Sequence, residues 1–130
     1  LHDIGHFVVE FPAEMKNFKD TGHDEAGAAL LEPFFSPEIV EPIRLHVRAK
    51  RYLCTVEPSY YDKMTKPVKH TFRLQGGKMS ASELNKFRAL PFAEEATRLR
   101  RWCDLAMIPG RKTKRFKEYS SLINSVLKEE

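Results

Sequence analysis

Cysteine is scarce in this sequence: Cys54 and Cys103 are the only two among 130 residues. Two thiols far apart in the chain cannot build a disulfide framework, and they point to a reducing, cytoplasmic setting. Long apolar runs are missing as well. No stretch approaches the roughly 18–20 residues that span a bilayer, which argues against a membrane protein. No charged segment followed by an apolar one marks a signal peptide. Glycine is sparse, at 6 residues, which excludes a collagen. Few segments alternate with a period of two, so strands have little support. What is present, 42% hydrophobic and 31% charged residues, is the composition of a globular chain.

Lys and Arg outnumber Asp and Glu by 22 to 18, a formal charge of +4. The excess is concentrated in Arg111, Lys112, Lys114, Arg115 and Lys117. Such a cluster can hold phosphates. It lacks the interleaved aromatics of a single-strand platform and any named DNA-binding pattern, so a solvated basic turn is favoured over nucleic acid. The positive field suits a small anionic substrate.

Apolar spacing is helical almost throughout. Leu1 to about Val8 reads as the end of a helix, and Glu10–Thr21, with Pro12, as a loop. A helix is expected over Gly22–Leu31, stopped near Pro33. Ser36-Pro37-Glu38 combines a capping Ser, a Pro at the first helical position and an acid in the first turn. The helix it opens runs to about Leu53, with Pro42 near its first turn. Shorter helices are expected over Ser59–Met64 and Pro67–Leu74, the second closed by Gly76-Gly77. Ser80 and Glu83 form a capping box for a helix of about Ser80–Ala89. Two more helices follow, Pro91 to about Met107 and Phe116 to Lys128. Phe34, Phe35, Phe72, Phe87, Phe92 and Trp102 read as core. The fold class is all-α, one helical bundle.

Of five histidines, four carry the chemistry, His2, His6, His23 and His46, while His70 reads as a surface or pocket-edge residue. Taken singly, each is ordinarily a core or surface residue. Together, a His-Asp pair on one turn (His2, Asp3) with histidines on other helices is how a helical bundle builds a metal site. Imidazole and carboxylate suit iron, manganese or zinc. His2 and His6 stand one turn apart, as do His46 and Lys50, so each pair shares a helix face. Arg100, Arg101, Cys103 and Asp104 fall within about one turn of a late helix. A pocket with a metal, Lys and Arg is suited to a phosphate-like or carboxylate-like ligand.

Leu1-His2-Asp3-Ile4-Gly5-His6 resembles the HD superfamily, defined by its His-Asp pair. His46-Val47-Arg48-Ala49-Lys50-Arg51-Tyr52-Leu53 is similar to the signature of the HD-type mixed-valent diiron oxygenases of phosphonate degradation. Gly22-His23-Asp24, Gln75-Gly76-Gly77-Lys78-Met79 and Arg100-Arg101-Trp102 resemble further segments of that family, in the same order along essentially the whole chain. The resemblance implies an HD helical bundle with two irons and an oxygen-dependent cleavage of a carbon–phosphorus bond. The implied substrate is a 1-hydroxy-2-aminoethylphosphonate or its trimethylated relative. Phosphate and glycine or glycine betaine are the implied products. By position, Asp3 would bridge the metals, His23 and His46 would complete the substrate-side iron, and His2 would serve the other. His6 and Lys50 would contact the phosphonate, with Thr71 and Gln75 as further candidates and Arg100 or Arg101 as the family arginine.

Three departures stand out. Val68 occupies a place where a phosphonate-binding Ser is expected. The family's earlier histidine ligand lies upstream of Leu1, so residues 1–130 read as the larger, C-terminal part of a family-length HD domain. After Trp102 the family has an acid, whereas here Cys103 comes first and Asp104 second. One residue is about 100° of helix, so the ligand is Cys103 in one register and Asp104 in the other. Both departures in the ligand set concern the same iron, which leaves two irons or one. An HD phosphohydrolase using the same ligands on a phosphate ester is the alternative enzyme. A degenerate HD module without catalysis is the alternative outside enzymes. Apolar surface left uncovered by absent helices would call for a partner or a second copy.

Overall fold

A computed structural model describes residues 1–9 and 22–128 of the chain. The loop expected over Glu10–Thr21 lies outside them. Among the described residues the fold is all-α, with one isolated bridge, Phe35 to Leu127, and no strand. A 3-10 turn, Ile4–Phe7, is followed by α1 (His23–Leu31), α2 (Pro37–Val56), α3 (Pro58–Asp62) and α4 (Lys66–Leu74). Then come α5 (Ala81–Arg88), α6 (Ala93–Ala106), a second 3-10 turn, Phe116–Tyr119, and α7 (Ser120–Asn124). No described helix is long and apolar enough to cross a membrane.

Helix α2 is the axis of the bundle. Pro37 sits at its first position, where its missing N–H costs nothing, and Ser36 is extended before it. Pro42 lies inside the helix, and the chain continues helical past it to Val56. One cluster on α2 combines Val40 and Ile43 with Ala28, Leu31 and Phe35, and Ile4 and Ile123 pack against it. A second combines Leu45 and Ala49 with Met79, Phe87 and Ala96. Between them α2 buries His46 and Lys50, at 1% and 5% exposure. Helix α5 has the expected capping box: Glu83 N–H donates to Ser80 Oγ, and Ser80 N–H donates to Glu83 Oε2.

Several expectations need correction. The first segment is a 3-10 turn, not the end of an α-helix. Helix α3 takes Glu57, not Ser59, as its cap, because Pro58 fills the first helical position. The helix expected over Phe116–Lys128 is broken into a 3-10 turn and the short α7. Its tail instead turns back, and Lys128 N–H donates to the Phe34 carbonyl over 2.8 Å. Trp102 is 59% exposed and Phe34 56%, so neither is core. Phe92 is half-buried and caps α6 in the left-handed region, at φ 64°. Phe35, Phe72 and Phe87 are buried as expected.

Candidate metal centre

Glycine opens the site. Gly5 is buried against the backbone of α1, and a Cβ there would lie 1.8 Å from the His23 carbonyl oxygen. Only glycine fits, and Gly27 across the contact is equally bare. That approach sets the 3-10 turn, with His2, Asp3 and His6, directly over the start of α1. His23 is the first residue of α1, behind the left-handed Gly22. The His6 ring stacks on it, with centroids 4.0 Å apart. His46 reaches the same point from α2: its Nε2 lies 3.1 Å from His23 Nε2.

Asp3 stands between two groups. Its Oδ1 is 3.9 Å from His23 Nε2 and 3.8 Å from His46 Nε2. Its Oδ2 is 3.0 Å from His2 Nε2. On that second side His2, Asp3 and the Cys103 thiol offer ligand atoms within 4.8 Å of one another, and Asp3, His6 and His23 do so on the first.

Electrostatics follow this layout. His2 holds the Asp3 carboxyl down at about pKa 2, with the charges of His46 and His23 helping and burial opposing. The carboxylate in turn pushes His2 up to about 9, with Cys103 adding to it. Yet the His2 Nε2 atom is buried and completes no well-formed hydrogen bond. Burial pulls His46 down to about 4, with His23 and His2 contributing. Its Nδ1 is 2.6 Å from the Ile43 carbonyl, which takes the Nδ1 proton and leaves the Nε2 lone pair for the cluster. A buried nitrogen ion-paired with Asp3 but without a well-formed hydrogen bond, two imidazoles meeting at Nε2 and a shared carboxylate fit a divalent transition metal such as iron, manganese or zinc.

The remaining candidates lie in different places. Lys50 is buried one turn beyond His46, and its charge and that of Arg100 both act on the buried Cys54 thiol, which burial pushes up to about 11. Arg100 is buried and donates to Asp104 and to the Tyr60 hydroxyl. Asp104 also accepts from Tyr60, so it stands with these two and outside the His2–Asp3–Cys103 group. Arg101 is exposed and pairs with Glu57. Thr71 Oγ1 donates to the Val68 carbonyl, and Gln75 Oε1 is buried without a hydrogen bond. His70 is exposed. One structural residue was missed by sequence reasoning. Arg51, next to Lys50, donates to the Gly77 carbonyl and to Glu83, and so ties the Gly76-Gly77 turn and α5 to α2. Its place in the same signature as His46 and Lys50 was the available signal.

No family model matches the chain. Over 129 residues, 98% of the chain, it is 41% identical to hydroxymethylphosphonate dioxygenase of Gimesia maris, covering 64% of that protein. Over 92 residues, 70% of the chain, it is 46% identical to (1-hydroxy-2-(trimethylamino)ethyl)phosphonate dioxygenase (glycine-betaine-forming) of Leisingera caerulea, covering 47% of it. An uncharacterised protein of Acanthamoeba polyphaga mimivirus is 30% identical over 132 residues, with 60% of that protein covered. The chain thus spans between about half and two thirds of the curated relatives it matches. By sequence the chain is thus similar to these phosphonate dioxygenases, in one case over nearly its whole length.

Proposed function

We propose that the protein is an iron-dependent oxygenase of a small 1-hydroxyalkylphosphonate, built on an HD-type metal centre. One observation carries the reading: three imidazoles from three separate segments, His2, His23 and His46, converge on the Asp3 carboxylate. The dioxygenase names of the two relatives agree with it. Asp3 with His23 and His46 would hold one iron, and Asp3 with His2 the other. Bound iron supplies oxygen activation and a seat for the substrate's hydroxyl and phosphonate oxygens. His46 is kept in its ligating tautomer by the Ile43 carbonyl. Lys50, buried one turn along α2, would carry the charge that pairs with the phosphonate, and His6, stacked on His23, would be a second contact. The reaction balances with O2 alone: the phosphonate and the hydroxyl-bearing carbon leave as phosphate and a carboxylate. The substrate is the hydroxymethyl, aminoethyl or trimethylaminoethyl member of this class, the last two giving glycine and glycine betaine.

The experiment is oxygen uptake by iron-loaded protein with each of these three phosphonates, read beside phosphate release. One phosphate per O2 consumed is expected with at least one of them. Phosphate without oxygen uptake would show a hydrolase. Fewer than about one iron per chain after anaerobic reconstitution, with no turnover, would show a degenerate module.

A further inference from the structure

We propose that Cys103 is a thiolate ligand, so that the two metal positions flanking Asp3 differ in kind. This rests on the reading of the cluster as a metal centre. The first position has nitrogen and oxygen donors only, from Asp3, His23 and His46. The second, His2, Asp3 and Cys103, adds sulfur.

Three observations carry the assignment. The first is distance. Ligand atoms of these three residues lie within 4.8 Å of one another. Donors around a tetrahedral metal with bonds of about 2.0–2.3 Å stand about 3.5 Å apart, so side-chain movements of about 1 Å would close the set. The second is the register of α6. Asp104, the competing residue, is engaged by Arg100 and Tyr60. Turning it into the cluster would take about 100° of helix rotation and leave Arg100, 9% exposed, without its carboxylate. Cys103 needs no such rotation. The third is His2 Nε2, buried in the same group without a well-formed hydrogen bond although an oxygen lies 3.0 Å away.

A thiolate makes the second position softer than the first. Cobalt, iron and zinc gain there relative to manganese, which prefers oxygen donors. Binding releases the thiol proton.

The test is an anaerobic cobalt(II) titration of the purified chain, followed by near-ultraviolet absorbance and by equilibrium dialysis. Wild type should show a sulfur-to-cobalt charge-transfer band. Cys103→Ser should lose the band and weaken cobalt binding at that position about 10-fold or more, while still binding cobalt at the first. Cys54→Ala and Asp104→Asn should keep the band, with circular dichroism confirming the fold of each variant. Cobalt bound by the wild type without the band, or a band surviving in Cys103→Ser, would overturn the proposal while sparing the metal centre. No cobalt bound at all would overturn both.

Discussion

Replacing Gly5 with Ala should damage metal binding more than it damages the fold. The new Cβ would lie 1.8 Å from the His23 carbonyl oxygen and 2.7 Å from the Gly27 nitrogen. Both obstacles are backbone, so neither can swing aside. Opening the first contact to even 3.0 Å moves the 3-10 turn off α1 by about 1.2 Å. Functional constellations tolerate roughly 0.5 Å. His2, Asp3 and His6 ride on that turn, while His23 and His46 stay on α1 and α2. The carboxylate would therefore withdraw from its partners, and metal affinity should fall at least about 100-fold. The stability cost is that of local overpacking, about 1–3 kcal/mol. Gly110→Ala is the control: φ is also positive there, at 74°, but a Cβ meets nothing within 4 Å. It should cost about 1–2 kcal/mol of backbone strain and leave metal affinity unchanged. Cobalt titration and thermal melting of both variants measure the two quantities. Wild-type affinity in Gly5→Ala would refute the argument that this contact seats the ligands.

Other consequences are as concrete. In the metal-free protein, His46 has a folded pKa of about 4 against 6.5 unfolded, so the unfolded state binds more protons between them. Its contribution is complete above pH 6.5 and disappears as pH falls through 4, a loss of about 3 kcal/mol. Asp3, at about 2, keeps its charge over that window, and His2, at about 9, adds an opposite slope that fades below about pH 6. Denaturant melts from about pH 6 to 4 should therefore follow His46, and His46→Gln should flatten the slope. Asp104→Asn strips the carboxylate from buried Arg100 and should cost about 2 kcal/mol, between surface and buried pairs, in denaturant unfolding. Lys50→Met keeps the stem and removes the charge. It should raise KM for the phosphonate about 10- to 100-fold with a smaller effect on kcat, measured by oxygen uptake.

Much of the fold was legible because local signals agreed with the tertiary structure. Pro37 behind Ser36 and the Ser80–Glu83 box start their helices where the residues said they would. The meeting of His2, Asp3, His23 and His46 was readable from motif order. What makes it possible was not: the bare crossing of Gly5 on α1 involves two glycines that look unremarkable in sequence. The proposed choice of Cys103 over Asp104 rests in part on Tyr60, 44 residues away from Asp104. No local pattern carries such a partner. Trp102 looked like core because it is large and apolar, yet α6 turns that residue outward beside an inward Arg100. The tail misled for the opposite reason. Its helical spacing over Phe116–Lys128 is real, but the backbone bond from Lys128 to Phe34 pulls its end away from the helix.

That returning tail has a consequence at the other end of the chain. Ile123 from α7 and Ile4 from the first 3-10 turn lean on the same five side chains: Ala28, Leu31, Phe35, Val40 and Ile43. Ile4 is the immediate neighbour of Asp3. The last segment therefore acts as a buttress for the first, and cutting the chain before Ile123 would loosen the grip on a carboxylate more than a hundred residues earlier.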